Sequence, residues 1–302
     1  MDTGLQKYRA FVTAAETGSI ARAAEQMGYS VSSVSRMVAD LETACGLKLF
    51  DRGKQGVAPT PDGVRLLEHA RAIIAECDRF EEEAAALAGA EIGTVRIGTI
   101  ASVATYILPK VLQQLRKSHP GITCELLMGD YAEIGSWIAD GRVDVGTLRL
   151  PTRDDFGSLP LLNDEYVAIV PKTHALAAGE SFPLAAFAKE PFLALERGEV
   201  TELAGLFERN GMDVSAAYTV WDDYAVMAMV EAGLGLGILP SIMTQNRPFN
   251  VAVLPLDVPA HRRVVAAWRK NRSLTAATTT FLDTLRAAVE AHGVAKSFGR
   301  PL

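Results

Sequence analysis

The sequence predicts a two-part α+β chain: a small helical unit with a hairpin, one long connecting helix, and a larger α/β unit. Three observations carry this. Between Gly18 and Thr60 two short helix patterns meet at a glycine and lead into a hairpin pattern. From Pro61 to Ala88 large apolar residues recur at every seventh position. From Val95 onward short apolar strands alternate with amphipathic helices. A length of 302 residues suits about two domains, and 49% hydrophobic against 22% charged residues is enough for a sizeable core in an ordinary soluble protein.

Residues 5–16 carry Leu5, Tyr8, Phe11, Val12 and Ala15 at helical spacing, and this helix should pack beneath the next two. Ser19 can cap a helix over 20–27, because its hydroxyl accepts a free N–H of the first turn. Gly28 then allows the left-handed residue that ends it. Ser30 caps a second helix over 31–44. The glycine-containing connection is a helix-turn-helix signature. On a helical wheel Val34, Val38 and Leu41 fall together and face inward, Ser32 and Arg36 lie opposite, and Ser33, Ser35 and Ala39 flank them. Small hydroxylated side chains allow close approach to a major groove, and an arginine can read guanine or hold a phosphate. An ordinary surface helix with serines would look the same; the residues that follow point to DNA. Gly46-Leu47-Lys48-Leu49-Phe50 reads as a hydrophobic strand entering the turn Asp51-Arg52-Gly53-Lys54-Gln55-Gly56. Such a wing would set Arg52, Lys54 and Gln55 against phosphates or the minor groove. The candidate DNA contacts are therefore Ser30, Ser32, Ser33, Ser35, Arg36, Arg52, Lys54 and Gln55.

Thr60 caps and Pro61 opens a long helix running to about residue 88. Leu66, Ile73, Phe80 and Leu87 form a heptad stripe, with Ala70, Cys77 and Ala84 offset by four. The stripe spans about 32 Å at roughly 1.5 Å per residue. Its alternatives are a dimerisation seam or a helix packed on its own domain. A dimer would put two reading helices on one DNA face and require a roughly palindromic site.

The formal charge of −6 is unevenly divided. Residues 1–60 hold seven Lys/Arg against six Asp/Glu, a balance of +1, and the remainder carries −7. Non-specific DNA affinity should therefore be modest, since it scales with the phosphates neutralised. Cys45, Cys77 and Cys124 are widely spaced and odd in number, which fits free thiols in a reducing cytoplasm and gives no metal-binding pattern. No apolar run is long enough to cross a bilayer, and the N-terminus has no signal-peptide pattern.

After a hinge at 89–93, strands are expected at Val95-Arg96-Ile97-Gly98, 122–128, Val143-Asp144-Val145-Gly146, 166–170, Phe192-Leu193-Ala194-Leu195, 218–220 and 264–268. Helices are expected after Ser102 (with Ile107, Leu108, Val111, Leu112 and Leu115), at 134–140, 201–210, 223–232 and 275–292. The alternation implies a parallel sheet. Residues 294–302 should be frayed.

The chain resembles the LysR-type transcriptional regulators. The resemblance rests first on Phe11, Gly18-Ser19, Ala23-Ala24, Ser30, Val34-Ser35, Leu41-Glu42, Gly46, Leu49-Phe50, Arg52 and Thr60-Pro61-Asp62-Gly63. It departs at Val31 and Met37, where many members carry Gln, a donor and acceptor for adenine. Looser matches follow at Arg96-Ile97-Gly98, Leu108-Pro109, His119-Pro120-Gly121, Gly141-Arg142-Val143-Asp144 and Glu231-Ala232-Gly233-Leu234-Gly235. The resemblance implies a winged helix-turn-helix over 1–60, a linker and dimerisation helix over 61–91, and an effector-binding domain over 92–302. That domain would have two lobes like a periplasmic binding protein, lobe one at 92–163 and 268–302 and lobe two at 164–267. It further implies double-stranded promoter DNA and a small-molecule effector as partners, a homodimer or homotetramer, and contact with RNA polymerase. Peroxide-sensing members use a cysteine pair in the effector domain, and here Cys124 stands alone in that region.

Ligands in open α/β sheets bind beyond the carboxyl ends of strands. Ser102 stands there after the first strand, where its hydroxyl and free N–H groups suit an anion. Arg149, after the strand 143–146, can hold a carboxylate bidentately. Carboxylate-binding members of the resembled family use Ser and Arg at similar positions. Asp130, Tyr131, Leu195, Glu196, Arg197 and Asp222 follow other strands, each equally readable as a cap or surface ion pair. An organic acid is the expected effector, with an amino group in addition if Asp130 or Glu196 faces the cleft. Gly233-Leu234-Gly235-Leu236-Gly237 follows a helix rather than a strand, so a dinucleotide loop fails its context. The five His are scattered, and no HExxH, GxSxG or P-loop is present, so no cofactor and no enzymatic chemistry is expected. An exported solute-binding protein would share the cleft but needs a signal peptide.

Overall fold

The computed structural model describes residues 3–53, 56–88, 92–195, 203–245 and 248–291. Lys54, Gln55, Glu196 and Arg197, positions 89–91 of the expected hinge, the start of the expected 201–210 helix and the tail 294–302 lie outside the described residues.

Three helices come first: α1 (Thr3–Thr17), α2 (Ile20–Met27) and α3 (Val31–Cys45). Ser19 and Ser30 cap α2 and α3 by accepting from the N–H of Arg22 and Ser33, and Gly28 and Gly46 end them in the left-handed region. Gly46 is thus the cap of α3 and not the start of a strand. The hairpin begins later, with β1 (Phe50–Gly53) pairing β2 (Gly56–Pro59) antiparallel. Phe11 meets Phe50 edge-on at 5.3 Å within a core that also holds Val34, Val38 and Leu41.

Helix α4 (Pro61–Leu87) follows, capped by Thr60, whose Oγ1 accepts the Gly63 N–H at 2.9 Å. Leu67 and Ala70 bury against the N-terminal core. Leu66 half-buries there as well, so its place in the stripe is taken up by its own domain. Ile73, Phe80 and Leu87 remain 39%, 75% and 83% exposed. Another face of α4 lies on the larger unit through ion pairs. Asp78 accepts from Arg9 of α1 at 2.5 Å and from Arg96 at 2.7 Å. Arg79 stands 3.7 Å from Asp144, and Glu76 meets Arg272.

The larger unit runs β3 (Gly93–Thr99), α5 (Ala101–Tyr106), α6 (Leu108–Ser118), β4 (Ile122–Met128), α7 (Tyr131–Asp140), β5 (Val145–Arg149) and β6 (Phe156–Pro171). It continues with β7 (Phe192–Leu195), α8 (Ala204–Arg209), β8 (Ala216–Val220), α9 (Asp223–Glu231), β9 (Leu236–Pro240), β10 (Val251–Pro255), β11 (His261–Arg269) and α10 (Ala276–Ala291). The sheet order is β4-β3-β5-β11-β6-β9-β7-β8, with β10 also on β6. It is mixed, not parallel as expected: β3 pairs β4 and β5 in parallel and β7 pairs β8 and β9 in parallel, while β6 and β11 cross antiparallel.

Two core groups divide this unit into lobes, one around β3, β4, β5, α6, α7 and α10, the other around β7, β8, β9 and β10. β6 serves both, pairing β11 through Glu165 and β9 from Tyr166. Val264 to Ala267 of β11 lie in the first core and pair β5, ahead of the expected return to lobe one at 268. The expected helix after Ser102 is broken at Ile107 into α5 and α6, because Pro109, in the first turn of α6, lacks the N–H that would continue the ladder from α5.

Candidate DNA-reading face and effector cleft

Helix α3 offers its outer face as the sequence predicts. Ser32 and Arg36 are exposed, Ser33 and Ser35 half-buried, and Arg52 is exposed on β1. The Ser30 hydroxyl lies 2.9 and 2.8 Å from those of Ser32 and Ser33, so the cap also orders the first turn of the reading face. The wing is held by a residue that sequence reasoning gave no role. Glu42, 5% exposed, accepts the Leu49 N–H at 2.9 Å and the Phe50 N–H at 3.4 Å, with Lys48 Nζ at 3.3 Å. Burial pushes its carboxyl up, but those N–H groups and the Lys48 ammonium outweigh burial and hold it below the ordinary value. Val57 N–H donates to Gly18 O at 3.0 Å, and any Cβ on Gly56 would sit 2.2 Å from that oxygen. The hairpin can therefore close on the α1–α2 turn only with glycine at 56.

In the larger unit the carboxyl ends of β3, β4 and β5 converge. Ile100 N–H donates to Thr147 Oγ1 at 3.0 Å, and Gly129 N–H to Thr99 O at 3.3 Å. Ser102 lies inside α5, where the N-cap position belongs to Ile100, so Ser102 is not the expected cap. Its hydroxyl instead accepts from Arg262 Nη2 at 3.0 Å. Arg262 lies opposite Asp164 on the crossing strands, donates to it from Nε at 3.1 Å and Nη2 at 2.9 Å, and stands 3.5 Å from the Tyr131 hydroxyl. Asp164 in turn accepts from Ser241 Oγ at 2.8 Å and Ile242 N–H at 3.1 Å in lobe two. Arg262 and Asp164 are 6% and 2% exposed. This pair ties lobe to lobe, and it was missed from sequence. The available signal was the alternation of Arg262 with the inward Val264 and Ala266.

Arg149 is the last residue of β5, not a residue beyond the strand. It lies two positions past Thr147 on the same face and opposite Val264, which puts it on the sheet face that carries Arg262. It is half-buried, and its side chain makes no hydrogen bond or ion pair among the described residues. The other candidates divide. Tyr131 joins the Arg262 cluster. Asp130 is committed to a reciprocal capping box with Glu133, and Asp222 caps α9 by accepting the Ala225 N–H at 2.9 Å. Both are helix caps, the competing reading of the same residues. Leu195 ends β7, half-buried in lobe two. Tyr106 spans the lobes by donating to Gln245 O at 3.0 Å. Burial, with Tyr224 and Asp223 beside it, raises the Tyr106 phenol above its ordinary value.

Among the described residues no helix is long and apolar enough to cross a membrane. The family model described as "Bacterial regulatory helix-turn-helix protein, lysR family" matches residues 5–64, and "LysR substrate binding domain" matches 88–290. Among similar proteins, the probable HTH-type transcriptional regulator LrrA of Synechococcus elongatus is 31% identical over 90% of this chain and 92% of its own length. A probable hydrogen peroxide-inducible genes activator of Mycobacterium avium is 29% identical over 77% of this chain and 76% of its own. The crystal structure of CbnR, a LysR family transcriptional regulator, superposes with a TM-score of 0.71 at 22% identity, covering 96% of this chain and 99% of that one, and so shares the fold. The chain belongs to the LysR family of DNA-binding transcriptional regulators, with a substrate-binding domain behind its helix-turn-helix, and is not an enzyme.

Proposed function

We propose that this regulator responds to a small organic acid, taken between the lobes and held by Arg149 with Ser102 and Tyr131 near it. The observation that carries this is Arg149 itself, a half-buried guanidinium without a carboxylate partner among the described residues, at the end of β5. A bidentate carboxylate is the ligand that best satisfies such a group. In this reading residues 1–60 read promoter DNA through α3 and the wing, 61–91 pair two copies through Ile73, Phe80 and Leu87, and 92–302 sense the effector. Two paired copies, or four, act in the cytoplasm. A ligand shifts the DNA-bound arrangement only as far as its affinity differs between arrangements.

A peroxide response, as named for the mycobacterial relative, finds little support. Cys124 is the single cysteine beyond α4, and burial pushes its thiol up to about 11, which leaves almost no reactive thiolate near neutrality.

A thermal-shift screen of the full chain against small carboxylic acids tests the proposal. An acid at about 100 times its dissociation constant should add about 2.7 kcal/mol, and Arg149→Ala should abolish the shift. Neutral or cationic hits with every carboxylate silent would overturn it.

A further inference from the structure

Val31 is the first residue of α3 and is 53% exposed, an apolar side chain at the end of the helix that leads into the groove. It contributes nothing to the core that holds Val34, Val38 and Leu41, and a β-branched residue is a mediocre helix former. The neighbouring hydroxyls of Ser30, Ser32 and Ser33 are engaged with one another. Ser35 stands one turn further on the same side, and Arg36 follows on the outer face. The N-terminal residues of such a helix are those that meet base edges. Valine has no donor or acceptor, so it cannot read the polar edge of any base. One apolar group lines the major-groove edges, the C5-methyl of thymine.

We infer that Val31 is a specificity-determining residue that selects thymine in each half-site by packing on its C5-methyl, one turn before Ser35. This rests on the proposed reading of α3 as the helix that enters the major groove. Polar contacts from Arg36 supply affinity and orientation beside it. Val31 adds a preference that a hydrogen-bonding side chain at the same position would not produce.

Deoxyuridine differs from thymidine only by the missing methyl, which makes the test direct. A duplex is first enriched by the full-length protein from a random-sequence pool, and each thymine is then replaced in turn by deoxyuridine. One thymine per half-site should weaken binding about fourfold when replaced, and replacing both should weaken it about fifteenfold, as expected for a single buried methyl-sized group at two independent sites. In Val31→Ala the loss should fall to nearly nothing, and Val31→Gln should enrich a different base there. Because Val31 is exposed, both variants should keep the wild-type melting temperature. Equal sensitivity to deoxyuridine in wild type and Val31→Ala, or no sensitive thymine in wild type, would overturn the inference while Arg36→Ala still lost binding. If Arg36→Ala bound as tightly as wild type, the reading of α3 would fall and the inference with it.

Discussion

The helix-turn-helix unit and the candidate effector cleft are built in opposite ways. In the helix-turn-helix unit the helix caps and the carboxylate that holds the wing bond residues near them in sequence: Ser19 caps with Arg22, Ser30 with Ser33, and Glu42 reaches Leu49 and Phe50. In the cleft the bonded residues are far apart. Arg262 meets Asp164, 98 residues away, and Ser102, 160 residues away. The first region is therefore specified by local chemistry and the second by topology.

The largest expected effect separates the two directly. Asp164→Ala removes the buried carboxylate that Arg262, Ser241 and the Ile242 N–H all donate to and should cost the larger unit about 3–5 kcal/mol. Trp137, Trp221 and Trp268 all lie in that unit, so denaturant unfolding followed by tryptophan fluorescence reads it alone. An unchanged midpoint would show that the lobes do not depend on this pair.

The same contrast explains what was legible beforehand. The boundaries of α2, the caps of α3 and the inward Val34, Val38 and Leu41 follow from period and capping, so they were readable. β6 begins ten residues before the strand expected at 166–170, because Gly157, Pro160 and Asn163 give no strand signal, while crossing between the lobes gives the strand partners along its whole length. The mixed sheet was missed because alternation of strands and helices says nothing about two strands that cross back. Asp130 and Asp222 were placed correctly at strand ends, but a strand end is also a helix start, and capping claimed both.

Next in size is the exposed seam of α4. Phe80→Ala should weaken self-association about a hundredfold, two copies of a side chain each worth about 1.5 kcal/mol, seen by sedimentation of the full chain. An unchanged assembly would move the dimer contact elsewhere. Glu42→Ala follows. It strands the Leu49 and Phe50 N–H groups and should destabilise the reading unit by about 1–3 kcal/mol, measured by amide exchange of Leu49, with tryptophan-reported unfolding untouched. Arg52→Ala should reduce the salt slope of DNA binding by about one, as for a single phosphate contact. Arg36→Ala should instead cost binding and relax sequence preference.

The smallest effect has opposite signs in two places. The Glu42 carboxyl is depressed, so its contribution is present above the ordinary carboxylate range and is lost as pH falls through its folded value. Asp144, under α4, is raised by burial, which outweighs the Arg96 N–H and the Arg96 and Arg79 charges that lower it. Its contribution is present at low pH and lost as pH rises through its folded value. Relative to Glu42→Gln, wild type should weaken in acid; relative to Asp144→Asn, it should strengthen. The same sign for both would contradict the account of one or the other environment.

In the proposed function the larger unit governs DNA binding by the helix-turn-helix unit. The measurement is DNA footprinting by the full chain on its enriched duplex, with and without a carboxylate that raises the melting temperature. A changed footprint or affinity with ligand is expected, absent in Arg149→Ala. A ligand that binds through Arg149 yet leaves the footprint and affinity unchanged at saturation would contradict it.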